Sequence, residues 1–153
     1  MRLRKATRSD LPFILELFVN TVGTVCSHDY SENQIKIWTS VSDNKKEWEN
    51  KIDQTYFIIA ETENKIVGFG SLDPADNIDL LYIHHKYHRC GIGQAILNEL
   101  EKESKKKNTC ELFTNASITS YSFFKNQGFR ELQEQRRILH GEEFINYKMS
   151  KVI

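Results

Sequence analysis

The run from Asn77 to Asn115 constrains the fold more than any other part of the chain. "NIDLLYIH" (77–84) reads as a strand, and "HRCGIGQA" (88–95) turns on glycine into a segment with Ile92, Ala95, Ile96 and Leu100 on one helical face. That helix is expected to run from Gly91 to about Lys106, and "CELFTN" (110–115) resumes as a strand. A strand, a crossover helix and a second strand pair in parallel, because a short turn cannot return the chain to the same end.

The flanking segments imply antiparallel pairing. "TYFIIA" (55–60) and "KIVGFGSL" (65–72) are joined by "ETEN", a length and composition suited to a hairpin, so with 77–84 they form a meander. Residues 1–6 read as a first strand. Ser9, Asp10 and Pro12 then signal a helix start, and Leu11, Ile14, Leu15, Phe18 and Val22 recur at helical spacing. Between 27 and 52 lie one or two shorter helices, with Ser31 as a cap and Ile35, Trp38, Trp48 and Ile52 as their buried members. After 115, "ITSYSFFKNQ" (118–127) is a helix closed by Gly128, "FRELQEQ" (129–135) a strand, and "RILHGEEFINYKM" a last hairpin around His140 and Gly141. The expected fold is α/β in the mixed, α+β sense: one domain over 1–153, with a mostly antiparallel central sheet flanked by helices. Where two strands splay, a ligand can lie between them.

Composition supports a packed domain and narrows its partners. Hydrophobic residues make up 39% of the 153 residues, which is enough for a real core. Lys plus Arg and Asp plus Glu both number 21, so no global field draws the chain to nucleic acid or anionic lipid. Lys105, Lys106 and Lys107 fall at an expected helix end, where cations suit the dipole. Cys26, Cys90 and Cys110 form no paired framework, and no apolar run approaching a membrane span is apparent, so a cytoplasmic setting is expected.

The glycine turn has several readings. A dinucleotide fingerprint needs a third glycine, where this chain has Ile96, and a P-loop needs a Lys-Ser or Lys-Thr pair that is missing. One alternative is that Gly91 and Gly93 simply allow a tight strand-to-helix entry with close packing. Arg89 beside free N–H groups at a helix start instead supplies both charge and cradle for a pyrophosphate.

With those residues in view, "LLYIHHKYHRCGIGQAIL" resembles the acetyl-CoA motif of the GNAT superfamily of N-acetyltransferases, and "SITSYSFFKNQGF" resembles that family's second signature. "DYSENQI…W" and "ASIT…FF…GF" are similar to its bacterial YafP-like subgroup. The resemblance implies a splayed strand pair forming an acyl-CoA cleft, with acetyl-CoA as co-substrate and no metal. It implies that Leu81, Tyr82 and Ile83 present backbone groups to the pantetheine arm. It also implies that His88, Arg89, Cys90, Gly91, Ile92, Gly93 and Gln94 hold the pyrophosphate. His88 stands where the family has Gln or Arg, Ser117 where it often has Asn, and Phe124 where it usually has a Tyr able to protonate the departing thiolate.

Catalytic roles follow from chemistry at these positions. Asp79, on the strand that should run under the thioester, is the candidate base for a protonated amine. Tyr121, one helical turn before Phe124, is the candidate substitute acid. His28, Asp29, Tyr30 and Glu32 are candidates for acceptor contact. His84, His85 and His88 sit where a strand ends and read as loop histidines, not metal ligands. The expected activity is acyl transfer, most simply acetyl, from acyl-CoA to a primary amine of a small molecule or peptide by direct attack in a ternary complex. A non-catalytic CoA-binding sensor that kept the fold is the alternative. A homodimer is compatible with the sequence.

Overall fold

A computed structural model describes residues 1–153. In chain order the elements are β1 (Arg2–Lys5), α1 (Leu11–Thr24), α2 (Glu32–Thr39), α3 (Lys45–Gln54), β2 (Tyr56–Thr62), β3 (Lys65–Leu72) and β4 (Asn77–Ile83). They continue as α4 (Ile92–Lys106), β5 (Glu111–Ser117), α5 (Tyr121–Asn126), β6 (Arg130–Leu139) and β7 (Glu142–Val152). The strands form one seven-stranded sheet in the order β1-β2-β3-β4-β5-β7-β6. Only β4 and β5 pair in parallel, as the crossover through α4 requires.

Caps set the helix starts. Asp10 Oδ2 accepts from the Thr7 N–H at 2.8 Å, and the Arg4 guanidinium grips both Asp10 oxygens at 2.9 Å, tying the start of α1 to β1. Ser31 Oγ accepts from the Gln34 N–H while Gln34 Oε1 accepts from the Ser31 N–H, a reciprocal capping box at α2. Asn44 Oδ1 caps α3 through the Glu47 N–H.

Two cores lie on opposite faces of the sheet. Ile96, Leu97 and Leu100 of α4 pack with Leu112 and Met149, while Ile14, Phe18 and Val22 of α1 and Trp48 of α3 pack with Phe57 and Phe69. Close contact of α4 with β3 depends on missing side chains, since a Cβ at Gly70 would stand 2.7 Å from Ile96 Cγ2. The helical run Arg8–His28 is long and apolar enough by length and composition to cross a membrane, contrary to the expectation from sequence. Its apolar positions Ile14, Leu17, Phe18 and Val22 are buried in the second core.

Other boundaries also differ from the sequence reading. The helix expected from Ile118 begins at Tyr121, because Ser117 Oγ accepts from the Ser120 N–H at 3.1 Å and closes a turn first. The strand expected to stop at Gln135 continues to Leu139, with a register shift between Glu131 and Gln133, and forms one long hairpin with β7.

The register of β4 creates the site. Opposite β3, Leu80 pairs with Ser71 and Ile78 with Leu72, so Asp79 is the extra residue of a bulge. Opposite β5, Asn77 pairs with Phe113 and Ile78 with Thr114, and pairing ends there. Beyond Ile78 the two strands separate.

Candidate active site

The split between β4 and β5 opens into a cavity of about 490 Å³. Its walls include Leu81, Tyr82 and Ile83 from β4, Ser117 from β5, Phe123 and Phe124 from α5, and the loop from His88 to Gln94 except Cys90. The His84 N–H donates to Val67 O in β3 at 2.8 Å, which fixes the alternation of β4. Leu81 and Ile83 therefore turn their peptide groups away from β3 and into the split. The Ile83 carbonyl is already engaged, accepting from Thr21 Oγ1 at 3.0 Å and from His88 Nε2 at 3.1 Å. The N–H groups of Leu81 and Ile83 and the Leu81 carbonyl are left to meet a ligand.

The loop before α4 leaves several backbone N–H groups free at a helix start. Arg89 takes φ +62° and Gly91 φ +78°, left-handed conformations that fold the chain back to start the helix. The Ala95 N–H is the first to close on the helix, bonding Gly91 O at 3.0 Å. The N–H groups of Ile92, Gly93 and Gln94 thus lack a helical partner and point out of the N-terminus of a 15-residue helix. A Cβ at Gly93 would meet the Phe123 ring at 3.1 Å, so glycine there keeps α4 and α5 in contact beneath the cavity. These features fit a pyrophosphate attached to a narrow arm. Cys90 is exposed, with its thiol 3.6 Å from the His88 carbonyl. His88 also lines the cavity, with its ring folded back so that Nε2 donates to Ile83 O at 3.1 Å.

The second signature divides its residues. Phe124 is 3% exposed, packs against Phe129 and presents its ring to the cavity. Ser117 and Ser120 hydrogen-bond each other at 2.9 Å on the opposite wall. Tyr121 is not brought to the cavity: its hydroxyl donates to Glu131 Oε1 at 2.9 Å, and its ring stands edge-on to Tyr147. Helical spacing placed Tyr121 one turn from Phe124, but Glu131, on the neighbouring strand β6, draws its hydroxyl elsewhere.

Asp79 lines the cavity at the bulge, where its Oδ2 accepts from Lys51 Nζ of α3 at 2.6 Å. His84 and His85 stack ring on ring with centroids 4.5 Å apart, and His84 Nδ1 accepts from the Lys86 N–H. No group of three or more His, Cys, Asp or Glu is arranged to hold a metal ion.

The cavity passes through the sheet to the α1 face, where Thr21, Val25, Cys26 and Trp38 line it with Tyr82. The acceptor-contact candidates His28, Asp29, Tyr30 and Glu32 lie close by in sequence but outside the lining. Tyr30 is buried, accepting from the Ile118 N–H at 3.0 Å and donating to Ile145 O at 3.4 Å. Asp29 accepts from Thr119 Oγ1 at 2.8 Å. Trp38 was legible only as an apolar member of α2, and Thr21 lies on the stripe already marked by Phe18 and Val22. Burial pushes the Cys26 thiol up to about 11, so it is neutral near pH 7 and poorly suited to attack a thioester.

Comparison with known proteins agrees with this geometry. A family model described as an acetyltransferase (GNAT) domain matches residues 26–151. The chain is 29% identical over 149 residues to the uncharacterized N-acetyltransferase YafP of Escherichia coli (strain K12), covering 97% of this chain and 94% of the relative. The crystal structure of a GCN5-related N-acetyltransferase from Rhodopseudomonas palustris superposes with a TM-score of 0.96 at 28% identity, over 99% of this chain and 95% of that one. A PaiA N-acetyltransferase from Thermoplasma acidophilum, solved in complex with coenzyme A, shares the fold at a TM-score of 0.81 and 22% identity, over 99% and 98% of the two chains. The order of the strands, the split between β4 and β5, and the family match together establish that this chain belongs to the GNAT family of N-acetyltransferases.

Proposed function

We propose that the protein transfers an acyl group, most simply acetyl, from acyl-CoA to a primary amine by direct attack within a ternary complex. The observation that carries this reading is the early end of β4–β5 pairing at Ile78 and Thr114, which shares one cavity with a helix N-terminus that has three free N–H groups. The gap can admit an extended arm, and the N-terminus can hold its phosphates. Acetyl-CoA supplies the activated acyl group as a thioester.

The chain's residues would act in sequence. Arg89 and the N–H groups of Ile92, Gly93 and Gln94 bind the pyrophosphate. Leu81 and Ile83 align the arm through their peptide groups, and the Leu81 N–H, next to the bulge, donates to the oxyanion formed on attack. One such preorganised donor is worth about 10²- to 10³-fold in rate. As the C–N bond forms and the C–S bond breaks, the electron pair leaves on sulfur. The amine proton passes to Asp79, directly or through water. No hydroxyl stands at Phe124, so the thiolate departs unassisted and is protonated from solvent, which its modest basicity permits.

A second reading, a CoA-binding module without turnover, draws on Phe124 and on the engagement of Tyr121 by Glu131. Calorimetry with acetyl-CoA, coupled to thiol detection over a panel of amines, separates the two. Saturable binding with amine-dependent CoA release supports the transferase. Binding without release favours the module, and absence of binding rejects both.

A further inference from the structure

The cavity changes chemistry as it passes through the sheet. Of its lining residues only Asp79 and Arg89 carry charge. Arg89 belongs to the anion loop, and Asp79 already accepts from Lys51 at 2.6 Å. The chamber on the α1 face is walled by Val25, Cys26, Trp38 and Tyr82, with the Thr21 hydroxyl committed to the Ile83 carbonyl. Its aromatic walls are held from behind. Tyr82 packs edge-on against Phe18 at 5.0 Å, and Trp38 edge-on against Tyr30 at 5.0 Å. Asp29, near Cys26 but not on the wall, is engaged by Thr119.

From this lining we infer the class of acceptor: a monoamine whose reacting nitrogen is borne on an apolar, uncharged body seated against Val25, Trp38 and Tyr82. The inference rests on the transferase reading above. A polyamine or an aminoglycoside brings further ammonium groups, and each would be stripped of water in a chamber with no free carboxylate to meet it. An apolar body loses water favourably against the same walls. The transfer itself is unchanged: the amine nitrogen bonds the acyl carbon, the C–S bond breaks with its electron pair going to sulfur, and the amine proton leaves towards Asp79.

The test is CoA release from acetyl-CoA with phenethylamine and hexylamine set against spermidine and kanamycin. The expected result is a kcat/KM for phenethylamine at least about tenfold above that for spermidine, within the range an apolar pocket discriminates. Trp38→Ala should lower kcat/KM for phenethylamine by about tenfold, mainly through KM, with acetyl-CoA Kd unchanged. Because that variant also loses its contact with Tyr30, a gain variant guards the conclusion. Val25→Asp places a carboxylate on the wall and should shift the ratio of the two kcat/KM values towards spermidine by about tenfold. Spermidine or kanamycin turning over as well as phenethylamine in the unaltered protein, or no shift of the ratio in folded Val25→Asp, overturns the acceptor class alone. Acetyl-CoA binding with no CoA release on addition of any of these amines overturns the transferase reading and the acceptor class with it.

Discussion

Lys51 Nζ lies 2.6 Å from Asp79 Oδ2, so the one carboxylate on the wall of the cleft is held by a cation from α3. The bulge aims Asp79 towards α3 and leaves its side chain 29% exposed, so under the proposed reaction a proton accepted there would have a route to solvent. Asp79→Asn keeps the shape and removes the base. It should lower kcat by about 10²-fold, the scale of general base assistance, with acetyl-CoA Kd unchanged in calorimetry. Lys51→Met should cost less than Asp79→Asn, because the carboxylate remains. Equal losses would reduce the pair to a structural tie between α3 and β4.

Phe124 presents its ring to the cavity, and the proposed reaction would bring the leaving sulfur beside it. Phe124→Tyr should raise kcat by up to about tenfold at pH 7, with the gain lost as pH rises through the ordinary phenol pKa near 10, where the added hydroxyl no longer carries a proton to give. Initial rates across pH for both proteins check this. A pH-independent gain would point to altered packing against Phe129 as its cause.

Gly91 separates backbone demand from space. A Cβ there meets nothing within 4 Å, but φ is +78°. Gly91→Ala should therefore weaken acetyl-CoA binding through loop conformation alone, by about fivefold to thirtyfold if the left-handed residue costs about 1–2 kcal/mol. Gly93→Ala acts differently, since its Cβ must push the Phe123 ring back from 3.1 Å. It should lower the melting temperature as well as the affinity.

Much of this site could be read from sequence because it depends on backbone. Gly91, the apolar face of α4 and the strand before it fix the loop between β4 and α4 through conformation and periodicity, which are local properties. The roles of Tyr121 and His88 could not be read that way. Each lies at a suitable spacing, but Glu131 and the Ile83 carbonyl decide where their polar atoms go, and both partners belong to the three-dimensional arrangement. The chamber residues Val25, Cys26 and Trp38 come together only when α1 and α2 pack against β4. The turn at Ser117–Ser120, which delays α5, depends on a serine hydroxyl competing with the helix, a choice that periodicity does not reveal.

The Arg4–Asp10 pair makes stability depend on acid. The guanidinium and the Thr7 N–H hold the Asp10 carboxyl below its ordinary range, against the opposing effect of burial. A depressed folded value means the contribution is full above the unfolded pKa, near 3.9, and is lost as pH falls from there through the folded value. Asp10→Asn should cost about 1.5–3 kcal/mol near pH 7 in denaturant unfolding, with the difference from the unaltered protein narrowing below about pH 4. A difference constant with pH would remove the ion pair from the explanation.

The central claim, direct acyl transfer inside the β4–β5 cleft, is tested most directly by bisubstrate initial-rate kinetics. CoA release is followed while acetyl-CoA and whichever amine of the panel turns over fastest are varied together. Release that requires the amine and gives intersecting double-reciprocal lines is the predicted result. Parallel lines, the mark of a covalent acetyl-enzyme, or no release above background would contradict it.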